Sequence, residues 1–524
     1  MGPMNVGPMN MGSMNMGSMN MGSMNMGSMN MGLMNMGLMN MGLMNMGSMN
    51  TRWRAIARVS VLGAALAGLA ACSHQDRMKT VASAYEGGNY ALAAAELVPL
   101  LEDRRDSEKD RTLYELEAGS VYAAAGDIEQ SMAAFAAADD RMWEYLDDAP
   151  DVRISEQAAA ILTNQTVITY TGRPYDRIMC TAYQALNHLA QGNLDAAGVS
   201  LRRSYEWQRD AAEKYAKEIE ALEEKANAAS AEKSYDAKAA LEDPGVRGGL
   251  DSAYGPLRDM QGYAEFAVPY STYLQALQFQ LTGRTDALAQ ATVAFRRAAG
   301  MLPESDRAYA EEDARLAEAA TTGAAIPPTV YVLVETGMGP WLDEFRLDIP
   351  LFIRGLPYAG AAFPVLKFKE GAASGFTARA GGAGYPSSVL TDMDKVVAGD
   401  FNRRLPAIIT MTIVSSATKA IATYLAQRAV YEQNPDAAWV VAIAGALYQV
   451  ATNNADLRVW LTLPKQVLYA RFPAPPDGQI EIELGDGQRI GPLETESNGA
   501  TIVHVRTPRM GAVPAVRTMR FPLK

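Results

Sequence analysis

The sequence predicts an α+β fold, with a helical solenoid first and a mixed sheet domain carrying two apolar helices after it. Three observations lead there. Residues 75–320 show helical periodicity broken repeatedly at Gly-centred turns. From Ile326-Pro327-Pro328 onward, short β-rich runs alternate with turn residues. Two long apolar stretches then interrupt those runs between residues 392 and 452.

The chain has 524 residues, enough for two or three domains. Residues 1–48 are tandem five-residue units such as MGSMN, with Gly in every unit and no aromatic residue. That composition cannot build a core, and it predicts a disordered segment. Thioether sulfur suits Cu(I), so a copper-binding tract is one reading. The other is that translation starts at Met49 or Met46 rather than Met1, which leaves the repeat as upstream sequence read in frame.

Residues 49–71 have the layout of a secretory signal. Arg52, Arg54 and Arg58 form a basic region, Val59 to Leu69 an apolar one, and Leu69-Ala70-Ala71-Cys72 a small-residue ending. The apolar run is too short for a mature membrane-spanning helix. The ending resembles a bacterial lipobox, which implies a lipid on Cys72 and a membrane as the first partner. Ser73 after the cysteine, by the same resemblance, favours the periplasmic face of the outer membrane.

Residues 72–323 form the expected helical domain. Val81–Glu102 reads as two helices broken at Gly87-Gly88-Asn89, and Leu113–Asp139 repeats the plan around Gly126-Asp127. Further pairs run Ile178–Tyr205, turning at Gly192, and Tyr270–Pro303, turning at Gly283. Gly119, Tyr122, Gly126, Ile128, Phe135 and Ala138 fall where tetratricopeptide repeats place small, turn and aromatic residues. The same residues would serve an irregular helical bundle. Between the third and fourth pairs, residues 202–241 are dense in Ala, Glu and Lys, with pairs such as Glu213–Lys217 at i,i+4. They predict a long projecting helix, either a solvated face or a partner-binding arm.

Residues 324–524 form the expected β-rich domain. Strands are predicted at 329–335, 344–350, 365–369, 376–379, 457–461, 467–472, 480–484, 500–506 and 516–521. A helical insertion near 392–452 contains LPAIITMTIVSSATKAIATYLAQR and DAAWVVAIAGALYQVA, parted by Asn434-Pro435-Asp436. Each apolar stretch falls short of the roughly twenty residues needed to span a bilayer, and Lys419 interrupts the first, so both are expected as core helices.

Several chemistries find no motif. Net charge is −12, which argues against nucleic acid as a partner. Cys72 and Cys180 are the two cysteines, so no disulfide framework is expected, and Cys180 reads as a buried thiol. His74, His188 and His504 lie far apart without metal-ligand spacing. No GxSxG elbow or Walker loop occurs, and the Gly381–Gly384 stretch lacks a phosphate loop's context. No cofactor is expected.

Pro174–Gln208 (PYDRIMCTAYQALNHLAQGNLDAAGVSLRRSYEWQ), the block from Val330, LPAIITMTIVSSATKA and Asn454–Pro473 together resemble a family of uncharacterised bacterial envelope lipoproteins with tetratricopeptide-like repeats. The resemblance implies envelope proteins as partners, peptidoglycan-associated lipoproteins among them, and no catalytic residues. The expected function is therefore a lipid-anchored scaffold without catalysis. The alternative is an envelope hydrolase acting on peptidoglycan or glycan through a carboxylate pair; acidic residues abound, as at Asp392 and Asp394, but so do acidic surfaces, and no catalytic residue is singled out.

Overall fold

The computed structural model describes residues 73–103, 108–147, 168–211, 235–258, 266–433, 441–445 and 453–522, with isolated positions between them. The five-residue repeat, the signal and Cys72 lie outside these residues. So do half of the expected projecting helix and most of the second apolar helix.

The helices come first. They are α1 (His74–Glu86), α2 (Tyr90–Glu102), α3 (Arg111–Ala125), α4 (Ile128–Asp147), α5 (Pro174–Ala190), α6 (Leu194–Asp210), α7 (Ala237–Glu242), α8 (Pro244–Arg258), α9 (Pro269–Leu281), α10 (Thr285–Met301) and α11 (Ala308–Thr321). Four consecutive pairs pack together, α1 with α2, α3 with α4, α5 with α6, and α9 with α10, and each pair also meets the next. The turns follow local chemistry. Gly126 ends α3 with φ +86°, a left-handed conformation that suits glycine. Asp127 then accepts the Gln130 N–H at 3.1 Å and caps α4. Asn89 and Asn193 cap α2 and α6 in the same way. Gly119 is small for a different reason: a side chain there would run into the Phe135 ring.

The strands follow: β1 (Thr329–Thr336), β2 (Trp341–Ile353), β3 (Leu356–Lys367), β4 (Phe376–Ala380), β5 (Ala383–Pro386), β6 (Ser388–Asp392), then helix α12 (Met393–Gln433), β7 (Gln466–Pro473), β8 (Gln479–Leu484), β9 (Arg489–Glu494), β10 (Gly499–Thr507) and β11 (Ala515–Pro522). A central sheet has the order β11-β10-β1-β7-β6, with β1 and β10 parallel. A smaller sheet has the order β5-β4-β8-β9, and β2 pairs with β3 as a long hairpin.

The period-2 alternation of strand side chains explains the layering. Val330, Val332 and Val334 of β1 join Leu468, Phe472, Val503 and Val505 against Phe376, Ile480 and Ile482 of the smaller sheet. Tyr331 and Leu333 face the other way, with Tyr469, Ile502 and Met519, into a core shared with the helices. The change at Ile326 thus marks a change of secondary structure, while the core runs on across it.

Some expectations need correction. Leu457–Leu461 is irregular rather than a strand: the Leu461 N–H is taken by Glu117 of α3 and the Arg458 N–H by Asp456, not by a neighbouring strand. Three strands, β5, β6 and β9, were not expected; all are short, and the Gly and Pro of β5 and β9 hide those two from a propensity reading. The first apolar stretch belongs to a single helix of 41 residues. Among the described residues it is the one helix long and apolar enough to cross a membrane, and 61% of its apolar window is buried inside the protein. Lys419, within it, is buried, and burial brings its ammonium down to about 8.

Candidate functional site

The helices meet the central sheet through charged and polar side chains as well as apolar ones. Glu117 on α3 is fully buried and accepts the N–H groups of Leu461 and Thr462 at 2.6 and 3.1 Å. Arg458 bonds Asp110 at 3.1 Å and the Ile168 carbonyl at 2.6 Å. On the far side of the array, Arg471 of β7 lies 3.1 Å from Asp313 of α11, which also accepts from the Tyr273 hydroxyl at 2.6 Å. Burial pushes the Asp313 carboxyl up to about 6 in spite of that arginine.

Another group of such side chains surrounds a narrow cleft where α1, α3, α4 and α5 face β1, β10 and β11. Strand register places them. Glu335 lies opposite Arg506 in the β1–β10 pairing, and His504 lies opposite Arg517 in the β10–β11 pairing. The alternation turns all four toward the helices, with Val503 and Val505 turned away. Glu335 accepts hydrogen bonds from the Tyr183 and Tyr270 hydroxyls, each at 3.1 Å. His504 Nε2 sits 3.0 Å from the same carboxylate, though without hydrogen-bond alignment. Burial works against the charge on Glu335, but His504 and Arg506 outweigh it and hold the carboxyl below its usual range. Arg506 bonds the Tyr85 hydroxyl at 3.2 Å and the carbonyls of Glu335 and Thr462 at 3.3 and 3.2 Å.

The residues named from sequence lie elsewhere. Asp392 accepts from Gln466 at 3.2 Å and from the Lys395 N–H at 3.3 Å. Asp394 accepts from Lys465, and burial raises its carboxyl to about 6 against that lysine. Neither lines the cleft. Cys180 is fully buried in α5, with Sγ 3.4 Å from the Phe135 carbonyl, and burial pushes its thiol well up. Among the described residues no group of three His, Cys, Asp or Glu is placed to hold a metal. Glu335, Arg506 and Arg517 were not singled out, and His504 was set aside as isolated. The available signal was the alternation Val503-His504-Val505-Arg506, which puts two basic groups on one strand face.

A second feature is on the surface. Phe352 and Tyr358, near the tip of the β2–β3 hairpin, and Leu425 and Tyr431, in the last turns of α12, are exposed. Tyr424 joins the two elements by donating to the Arg354 carbonyl at 3.4 Å.

A family model described as pentapeptide repeats (8 copies) matches residues 1–42 and 19–51. That match overturns the expected membership in a tetratricopeptide-like lipoprotein family, and nothing in the match supports palmitate or an outer-membrane place. The physical reason is that small, aromatic and Gly-turn residues are what any closely packed helix pair needs, so they do not specify one family. The pentapeptide match falls on the Met-rich repeat and says nothing of residues 73–522. No curated protein matches the chain. No solved structure matches it.

Proposed function

We propose that the protein is a non-catalytic scaffold of the cell envelope, exported by residues 49–71, tethered to a membrane through Cys72, and binding protein partners. The observation that carries this reading is the exposure of Phe352, Tyr358, Leu425 and Tyr431 on two elements joined by the Tyr424–Arg354 hydrogen bond. Clustered large apolar side chains on a surface mark interaction sites more often than chance. The stacked helix pairs add an extended outer face of the kind repeat-built binding proteins use. Their inner face is closed by the protein's own sheet, so the partner surface of this proposal is formed by these exposed apolar residues and not by a helical groove. The rival hydrolase draws less support, since Asp392 and Asp394 are both engaged by side chains of β7 or its approach.

Site-specific photo-cross-linking in cells tests the proposal. A cross-linker at Tyr358 or Leu425 should capture one discrete partner, and Phe352→Glu should abolish that capture. A cross-linker at Glu304, on the exposed helical side, should not capture it. Equal capture at all three positions, or none at the first two, overturns the proposal.

A further inference from the structure

We propose that the cleft between the helices and the β10–β11 edge binds a carboxylate group, with Arg517 as its principal ligand. The charges around the cleft are not equally engaged. Among the described residues Glu335 is the one carboxylate lining it, against the basic groups His504, Arg506 and Arg517. Glu335 is already surrounded by the Tyr183 and Tyr270 hydroxyls and the His504 ring. Arg506 is already engaged by Tyr85 and by two main-chain carbonyls. Arg517 differs. Among the described residues its one hydrogen bond is to Asn187 Oδ1, at 2.9 Å.

That single bond fixes its position. Asn187 donates to Ser131 Oγ at 2.8 Å, and Ser131 donates to the Gly119 carbonyl at 2.7 Å. The relay presents Asn187 Oδ1, rather than its amide, to the arginine. A guanidinium carries five donors, so most of the Arg517 fork remains for a ligand. Burial holds this guanidinium below the usual arginine value in spite of the nearby Glu335 carboxylate. His504, whose Nε2 lies 3.0 Å from Glu335, lines the same space.

The fork matches the two oxygens of a carboxylate in a bidentate pair. A phosphate dianion fits less well, because its second charge would be placed beside Glu335. Arg517 is only half-buried, so a ligand can leave its remainder in solvent while the carboxylate enters. The assignment stands whether or not the protein is a scaffold.

The test uses the full chain and two small probes, N-acetylalanine and N-acetylalaninamide, at matched ionic strength. Ligand-observed NMR should detect binding of the acid and not of the amide. Arg517→Gln should remove that binding, and Arg517→Lys, which keeps the charge but loses the fork, should weaken it by about tenfold. Arg520→Gln, on the same strand and exposed, should leave it unchanged. Circular dichroism of each variant separates lost binding from lost fold, and Arg517→Lys serves if Arg517→Gln unfolds. The proposal falls if acid and amide behave alike, if Arg517→Gln and Arg517→Lys both bind like the parent, or if inorganic phosphate binds more tightly than the acid.

Discussion

Glu117 and Thr462 form a two-point contact between α3 and the segment leading into β7: one carboxylate oxygen accepts both the Thr462 N–H, at 3.1 Å, and its hydroxyl, at 2.6 Å. With the Leu461 N–H on the other oxygen, a single buried side chain replaces a partner strand for this stretch. Glu117→Ala should leave those donors buried and unpaired, at a cost of about 3 kcal/mol or more. Glu117→Gln keeps one acceptor and should cost less. Denaturant titration of both variants checks the order, and equal stability would mean that the contact contributes nothing.

The α3–α4 pair offers a steric test. Gly126 has open space around it but a positive φ, so Gly126→Val should destabilise through the backbone alone. Phe135 is fully buried, and Phe135→Ala should cost about 3–5 kcal/mol. Gly119→Ala should also destabilise, and combining it with Phe135→Leu should recover part of the loss, since the smaller residue vacates the space the new methyl needs. Thermal melts of the single and double variants decide this.

Three buried carboxyls give the protein a definite pH dependence. Burial pushes Asp176, Asp313 and Asp394 each up to about 6, whereas an unfolded aspartate titrates near 3.9. Between about pH 4 and 6 the folded state therefore binds more protons than the unfolded state, and these groups lose stability as pH rises through that window. Melting temperature should be higher at pH 5 than at pH 8. Asp176→Asn, which can still accept from the Tyr170 hydroxyl, should narrow the difference by about 1–3 kcal/mol. A parent protein that is steadily more stable toward pH 8 would contradict this.

The proposed membrane tether can be tested apart from the fold. Cys72→Ala should yield an unlipidated precursor. A chain that begins at Met49 should be exported and function like one that begins at Met1. Should the Cys72→Ala protein still sediment with membranes and lose its signal normally, Cys72 is not the tether; loss of function in the shortened chain would point back to the copper-binding reading of the repeat.

The sequence by itself determined the local elements. Gly87-Gly88-Asn89, Gly126-Asp127, Gly192-Asn193 and Gly283 place the helix turns because glycine conformation and Asn or Asp capping act within a few residues. Strands β1, β7, β8, β10 and β11 were legible from β-branched runs between turn residues. The tertiary structure alone decided how these pieces are used. Leu457–Leu461 has strand propensity but is bonded by Glu117, a partner 344 positions away, which no local window contains. Glu335 lies 171 positions from Arg506 and meets His504, Arg506 and Arg517 only through the parallel β1–β10 pairing and its register with β11. Local propensity says which residues extend or coil; register and long-range packing say which of them meet.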